Sequence, residues 1–174
     1  MERQTVDFGD IVKELYEETR GDGVLLTSIG QDGRPNVMTI GWGLYGWFYH
    51  GNPVAVVAVR PACFTHGLLA EVPEFVLSIP TAELADQVLF CGTESGKDRD
   101  KFSEMSLTAV VLPEVKAPAI RECPVNIACR IYHAENPPHG VLTPEHREKP
   151  LAAQHTIYYA EVLDVCRWTI DGGP

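Results

Sequence analysis

The chain has 174 residues, enough for one domain over 1–174, and is 45% hydrophobic, enough to bury a core. Its formal net charge of −10 repels nucleic-acid backbones and anionic lipid, so the sequence predicts no nucleic-acid or membrane partner. Five scattered cysteines, Cys63, Cys91, Cys123, Cys129 and Cys166, form no C-x-x-C pair, which argues against a disulfide framework or a zinc site and for reduced thiols in the cytoplasm.

The start, "MERQTVDFGD", has neither the basic end nor the apolar centre of a signal peptide, and no apolar run reaches the length of a membrane span. A helix is predicted over about 7–20. There Phe8, Ile11, Val12, Leu15 and Tyr16 make one apolar stripe at i, i+3, i+4, i+7 and i+8, and Gly21 and Gly23 stop it. Short β runs follow: "GVLLTSIG", "PNVMTIGW", "PVAVVAVR" and "EFVLSIP". Asp32-Gly33 is a turn signal between the first two. The second run is unusual. Strict alternation places Asn36, Met38, Ile40 and Trp42 on one face and Val37, Thr39 and Gly41 on the other, and neither face is cleanly apolar.

"THGLLAEV", "TAELADQVLFCG" and "SGKDRDKFSEM" read as helical inserts. Strands return in "LTAVVLP", "ECPVNIACRIYHAE" and "HTIYYAEVLDVCRW". The last two are separated by the Pro-rich loop 136–154. The pattern predicts a mainly β chain with attached helices: an antiparallel barrel or strongly curled sheet over about 23–170.

Two stretches carry anion chemistry. In "VRPACFTHGLLAEV", Arg60 ends a strand and Thr65 occupies an expected N-cap. A guanidinium beside a helix N-terminus makes a phosphate cradle. In "CGTESGKDRDKF", Ser95 and Asp98 have capping-box spacing, and Lys97, Arg99 and Lys101 add positive charge near a helix start. Read separately, each stretch is equally a capped surface helix. His50, His133, His139 and His146 show no metal-ligand spacing and read as non-catalytic.

Taken in order, "DGRPNVMTIGW", "VRPxxxTH", "CGxxSGxDxDKF", "ECPVNIACRI" and "HTIYYAEV" resemble the flavin reductase-like family, in its flavoredoxin branch, over roughly Gly23 to Val165. The resemblance implies an antiparallel FMN-binding split β-barrel and a homodimer with non-covalent FMN near the subunit interface. It also implies either NADH or NADPH as electron donor or service as an electron carrier. Asn36, Met38, Thr39 and Trp42 would lie against the isoalloxazine. Polar side chains there suit the pyrimidine edge, and Met and Trp suit the ring face. Asn36 and Thr39 fall on opposite faces, so this implies a bulge or a backbone contact. Arg60, Thr65 and His66 would grip the phosphate, with "ACF" standing where relatives often carry a second basic residue. Ser95, Gly96 and Lys101 would meet the cofactor or the nicotinamide, and His155 would position the nicotinamide.

The leading expectation is therefore an NAD(P)H-dependent flavin or ferric reductase that passes electrons to a small-molecule or protein acceptor. A flavoredoxin-like carrier without its own nicotinamide site is the alternative. A third reading is a split barrel of the pyridoxamine-phosphate-oxidase kind. The aromatic stretch 43–51, "GLYGWFYHG", is the expected dimer contact.

Overall fold

The computed structural model describes residues 2–48, 51–140 and 150–169. Ten strands are described: β1 (Arg3–Thr5), β2 (Val24–Ile29), β3 (Pro35–Ile40), β4 (Gly43–Trp47), β5 (Pro53–Val59), β6 (Glu74–Ile79), β7 (Ala109–Val110), β8 (Ala119–Ile120), β9 (Val125–Glu135) and β10 (Thr156–Trp168). The helices are α1 (Phe8–Arg20), α2 (Phe64–Glu71), α3 (Ala85–Thr93) and α4 (Lys101–Glu104). The main sheet runs β3-β2-β6-β9-β10-β5-β4, with β1 added along β10. All of its pairings are antiparallel. Strands β3 and β4 are adjacent in sequence yet stand at opposite ends of this order, so hydrogen bonding does not close the curl between them.

Side-chain alternation divides the apolar residues between the two faces of the sheet. One cluster joins Val24, Leu26, Ile40, Val57, Phe75, Ile127 and Val162 with Phe8, Ile11 and Leu15 of α1. The opposite face of β2 and β3 presents Leu25 and Val37 to Val88 and Cys91 of α3 and to Phe102 of α4. A third cluster packs Val76, Ala128 and Cys166 under the segment that carries Leu112, Val115 and Ala117.

Helix α1 begins at Asp7, whose carboxylate accepts from Gly9 N at 2.7 Å, and ends at Gly21. Its buried residues are Phe8, Ile11, Leu15 and Thr19, whereas Tyr16 is 57% exposed, so the buried stripe is narrower than predicted. Two other expectations change, and one strand is added. Residues 43–47 of the aromatic stretch form edge strand β4. In "LTAVVLP" only Ala109 and Val110 pair. The loop 136–154 contains a short 3-10 turn at Leu151–Ala153, while 141–149, with His146, lie outside the described residues, as do Tyr49 and His50.

Candidate functional site

A cleft of about 190 Å³ opens between β3, the start of α2 and the segment that links α3 to α4. Its walls include Asn36, Met38, Arg60, Thr65, Ser95, Gly96 and Lys101, seven of the ten residues expected to meet a cofactor. Cys63 and Cys91 also line it.

Strand β3 delivers Asn36 and Met38 because it pairs with β2 in unbroken register from Pro35 to Ile40. No bulge intervenes, so strict alternation sends Thr39 to the other face. There its hydroxyl donates to Val88 O at 2.5 Å and its side chain packs beneath Gly92 of α3. Thr39 is thus an anchor for α3 and is not part of the cleft wall. Trp42 lies beyond the end of β3, is 45% exposed, and does not line the cleft either.

Helix α2 starts two residues earlier than its sequence suggests. Cys63 is its N-cap, makes no side-chain capping bond, and leaves Thr65 at the second helical position. Thr65 is buried and accepts a hydrogen bond from Asn36 Nδ2 at 2.9 Å. His66 turns away from the cleft. Its Nε2 lies 3.1 Å from Thr156 Oγ1, and that hydroxyl donates to Asn136 Oδ1 at 2.9 Å, so the ring is the donor to Thr156. Burial holds the His66 pKa below its ordinary value, and its ring packs edge-on against Tyr158. The residue ties α2 to β10. His155, just before β10, is half-buried and is not part of the cleft wall; its carbonyl accepts from His139 Nε2 at 2.6 Å.

The Ser95–Asp98 capping box does not form. Asp100 caps α4 by accepting from Ser103 N at 3.2 Å, and Ser95 Oγ instead accepts from Lys97 N at 3.3 Å. Starting α4 at Lys101 turns that side chain inward. Lys101 is only 4% exposed, and its Nζ donates to Cys91 O near the C-terminal end of α3 at 2.9 Å. Burial lowers its pKa, while the nearby Cys91, Cys63 and Glu94 oppose that shift.

Several of the arginines are paired within the chain. Arg3, Arg99, Arg130 and Arg167 each have a carboxylate partner. Among the described residues no ion pair includes Arg60 or Lys101, which flank the uncapped start of α2. A guanidinium, an ammonium and a helix N-terminus converge there, with Glu94 on the same wall but in no ion pair with either cation, and together they form a site for a ligand anion.

The outward face of β4, β5 and β10 carries an apolar patch bordered by Glu161. Leu44 and Phe48 are 64% and 56% exposed and lie with Val54, Val56 and Tyr159 around a shallow depression. Sequence reading located the aromatic residues of this face. It missed the strand because Gly43 and Gly46 interrupt the β pattern.

Comparison with known proteins gives concordant results. Residues 21–173 match the family described as flavin reductase like domain. An uncharacterized protein of Archaeoglobus fulgidus is 33% identical over 76% of this chain, and the chain spans 65% of that relative's length. The flavoredoxin of Desulfovibrio vulgaris superposes with a TM-score of 0.68 at 26% identity, covering 86% of this chain and 69% of that one. The NADH:FAD oxidoreductase of Streptomyces globisporus gives a TM-score of 0.62 at 21% identity, covering 95% of this chain and 87% of that one. The curled antiparallel sheet with its attached helices is therefore a split barrel, and the chain belongs to the flavin reductase-like family.

Proposed function

We propose that the protein binds FMN in the cleft and acts as an NAD(P)H-dependent flavin or ferric reductase. The observation that carries this reading is the convergence of Arg60, Lys101 and the α2 N-terminus, the two cations in no ion pair among the described residues of a protein of net charge −10. A single cradle of this kind fits one phosphate, hence FMN more readily than a dinucleotide. When bound, FMN supplies the two-electron chemistry that the side chains lack. The residues of the chain bind and orient. Arg60 and Lys101 hold the phosphate, Thr65 donates to it, and Met38 gives an apolar contact. His155, close in sequence to the Thr156 anchor, positions the nicotinamide.

A volume of about 190 Å³ is small beside the roughly 300–1,000 Å³ of pockets that enclose a drug-sized ligand. A flavin ring would project beyond it, which supports a homodimer whose second subunit covers the ring. The exposed apolar face around Leu44 supplies a self-association surface. Light scattering of the FMN-loaded protein tests this, and a fully loaded monomer would contradict it.

The flavoredoxin match favours a second reading, an electron carrier without a nicotinamide site. Anaerobic mixing of the FMN-loaded protein with NADH or NADPH separates the two. Rapid loss of flavin absorbance supports the reductase. Resistance to both nicotinamides, with reduction by a protein donor, supports the carrier. A colourless protein that takes up no FMN would remove both.

A further inference from the structure

We propose that Asn36 is a positioning residue: it locks the Thr65 hydroxyl as a donor aimed at a phosphoryl oxygen in the cleft, a role that rests on the FMN-binding reading above. The side-chain amide of Asn36 is buried between the two lips of the cleft. On one side its Nδ2 donates to Thr65 Oγ1 at 2.9 Å. On the other its Oδ1 lies against Gly96, so close that a Cβ added there would be 1.8 Å from that oxygen. Gly96 does not have the positive φ that would itself call for glycine, so the requirement is for space.

The polarity follows from elementary chemistry. An amide nitrogen cannot accept, so the Thr65 oxygen must, and its own proton is left to donate. Thr65 is 2% exposed and lines the cleft, and among the described residues no protein acceptor is hydrogen-bonded to that proton. A buried hydroxyl held in this way donates to the ligand. It favours an unprotonated phosphoryl oxygen beside the Arg60 and Lys101 charges. On this account Asn36 contributes to discrimination between phosphorylated and unphosphorylated flavin through Thr65, without itself touching the phosphate.

The test is a double-mutant cycle read by binding. Apo-protein variants Thr65→Val, Asn36→Ala and the double variant are titrated with FMN and with riboflavin. Thr65→Val should weaken FMN by about tenfold or more, as expected for a hydrogen bond to a charged group. Asn36→Ala should give most of that loss, the double variant no more than Thr65→Val alone, and Thr65→Ser should recover binding. Riboflavin affinity should change less than about twofold throughout, since the relay acts on the phosphate. Losses that multiply in the double variant, or equal losses for riboflavin, would place Asn36 on the ring and overturn the proposal. Gly96→Ala is the companion variant: it displaces the amide with every polar group present, and should mimic Asn36→Ala even if the latter folds poorly. A second arm uses inorganic phosphate alone. Phosphate should raise the melting temperature of the wild type above that in chloride of equal ionic strength, and should do so less in Thr65→Val and Gly96→Ala. If the wild type binds no FMN but shows this pattern, the flavin reading fails and the relay stands. A phosphate effect equal in all variants overturns the relay.

Discussion

The cations of the cleft and those of the β1–β10 seam have opposite designs. At the seam, Arg3 donates to Asp164 at 2.7 Å and to Glu114 at 3.1 Å, and these contacts raise its pKa. Nearby, Arg167 donates to Glu14 at 2.8 Å. These charges are satisfied by the chain itself and bind its terminal strand and first helix to the barrel. In the cleft, Lys101 is more deeply buried than Arg3 yet its ammonium donates to a backbone carbonyl, and among the described residues neither it nor Arg60 is in an ion pair. A buried charge without a counter-ion is unfavourable unless something compensates it. The seam thus serves stability, and the cleft trades stability for binding.

The contrast is broken or sharpened most by Lys101→Met. Losing a buried charge-assisted contact should weaken FMN at the upper end of a roughly 10- to 150-fold range, measured by fluorescence titration. The same variant carries a pH signature. Burial holds the Lys101 pKa below its ordinary 10.5, so the unfolded chain keeps this proton to higher pH than the folded one. Ligand-free wild type should therefore gain stability relative to Lys101→Met as pH rises through the folded value towards 10.5. A stability difference that stays flat across that range would show that the ammonium is not disfavoured.

Arg60→Ala comes next. Arg60 is exposed, so the loss of FMN affinity should be nearer the lower end, about tenfold, with an unchanged melting temperature for the ligand-free protein. Equal FMN affinity in variant and wild type would move the phosphate elsewhere. His155→Ala should keep FMN and require a few-fold more NAD(P)H for the same reduction rate, with little change in the limiting rate. Identical stopped-flow traces at every nicotinamide concentration would leave His155 a structural residue. The smallest effect belongs to the seam. Arg3→Ala should lower stability by no more than about 1 kcal/mol, less at high salt, and leave FMN affinity untouched. A change in flavin binding there would erase the distinction between the two regions.

Much of this organisation was legible in the sequence, for reasons that particular residues make clear. The runs that became β2, β5, β6, β9 and β10 are rich in Val, Ile and Leu, and turn residues punctuate them. The apolar spacing and the glycines after it announced α1. Arg60 was found because it ends a strand just before a helix start, and Lys101 because it lies among basic residues near another helix start and matches the family's motif. What stayed hidden depends on tertiary neighbours. Cys63 at the N-cap of α2 defeats the preference for Ser, Thr, Asp and Asn, so Thr65 was assigned the wrong position in the helix. Alternation puts Thr39 on the outer face, but it could not reveal that its hydroxyl has a partner there in α3. His66 carries a basic group into the first turn of α2, yet Thr156 and Asn136, distant in sequence, turn it from the cleft. The three-residue β1 and the glycine-interrupted β4 give too little periodic pattern to detect.

The central claim is that the unpaired cations of the cleft await the phosphate of a flavin. Titrating ligand-free wild type with FMN and with riboflavin, at low and at raised salt, tests it directly. The account predicts that FMN binds at least tenfold more tightly than riboflavin and that salt narrows the gap. Equal affinity for the two flavins at every salt concentration would contradict it.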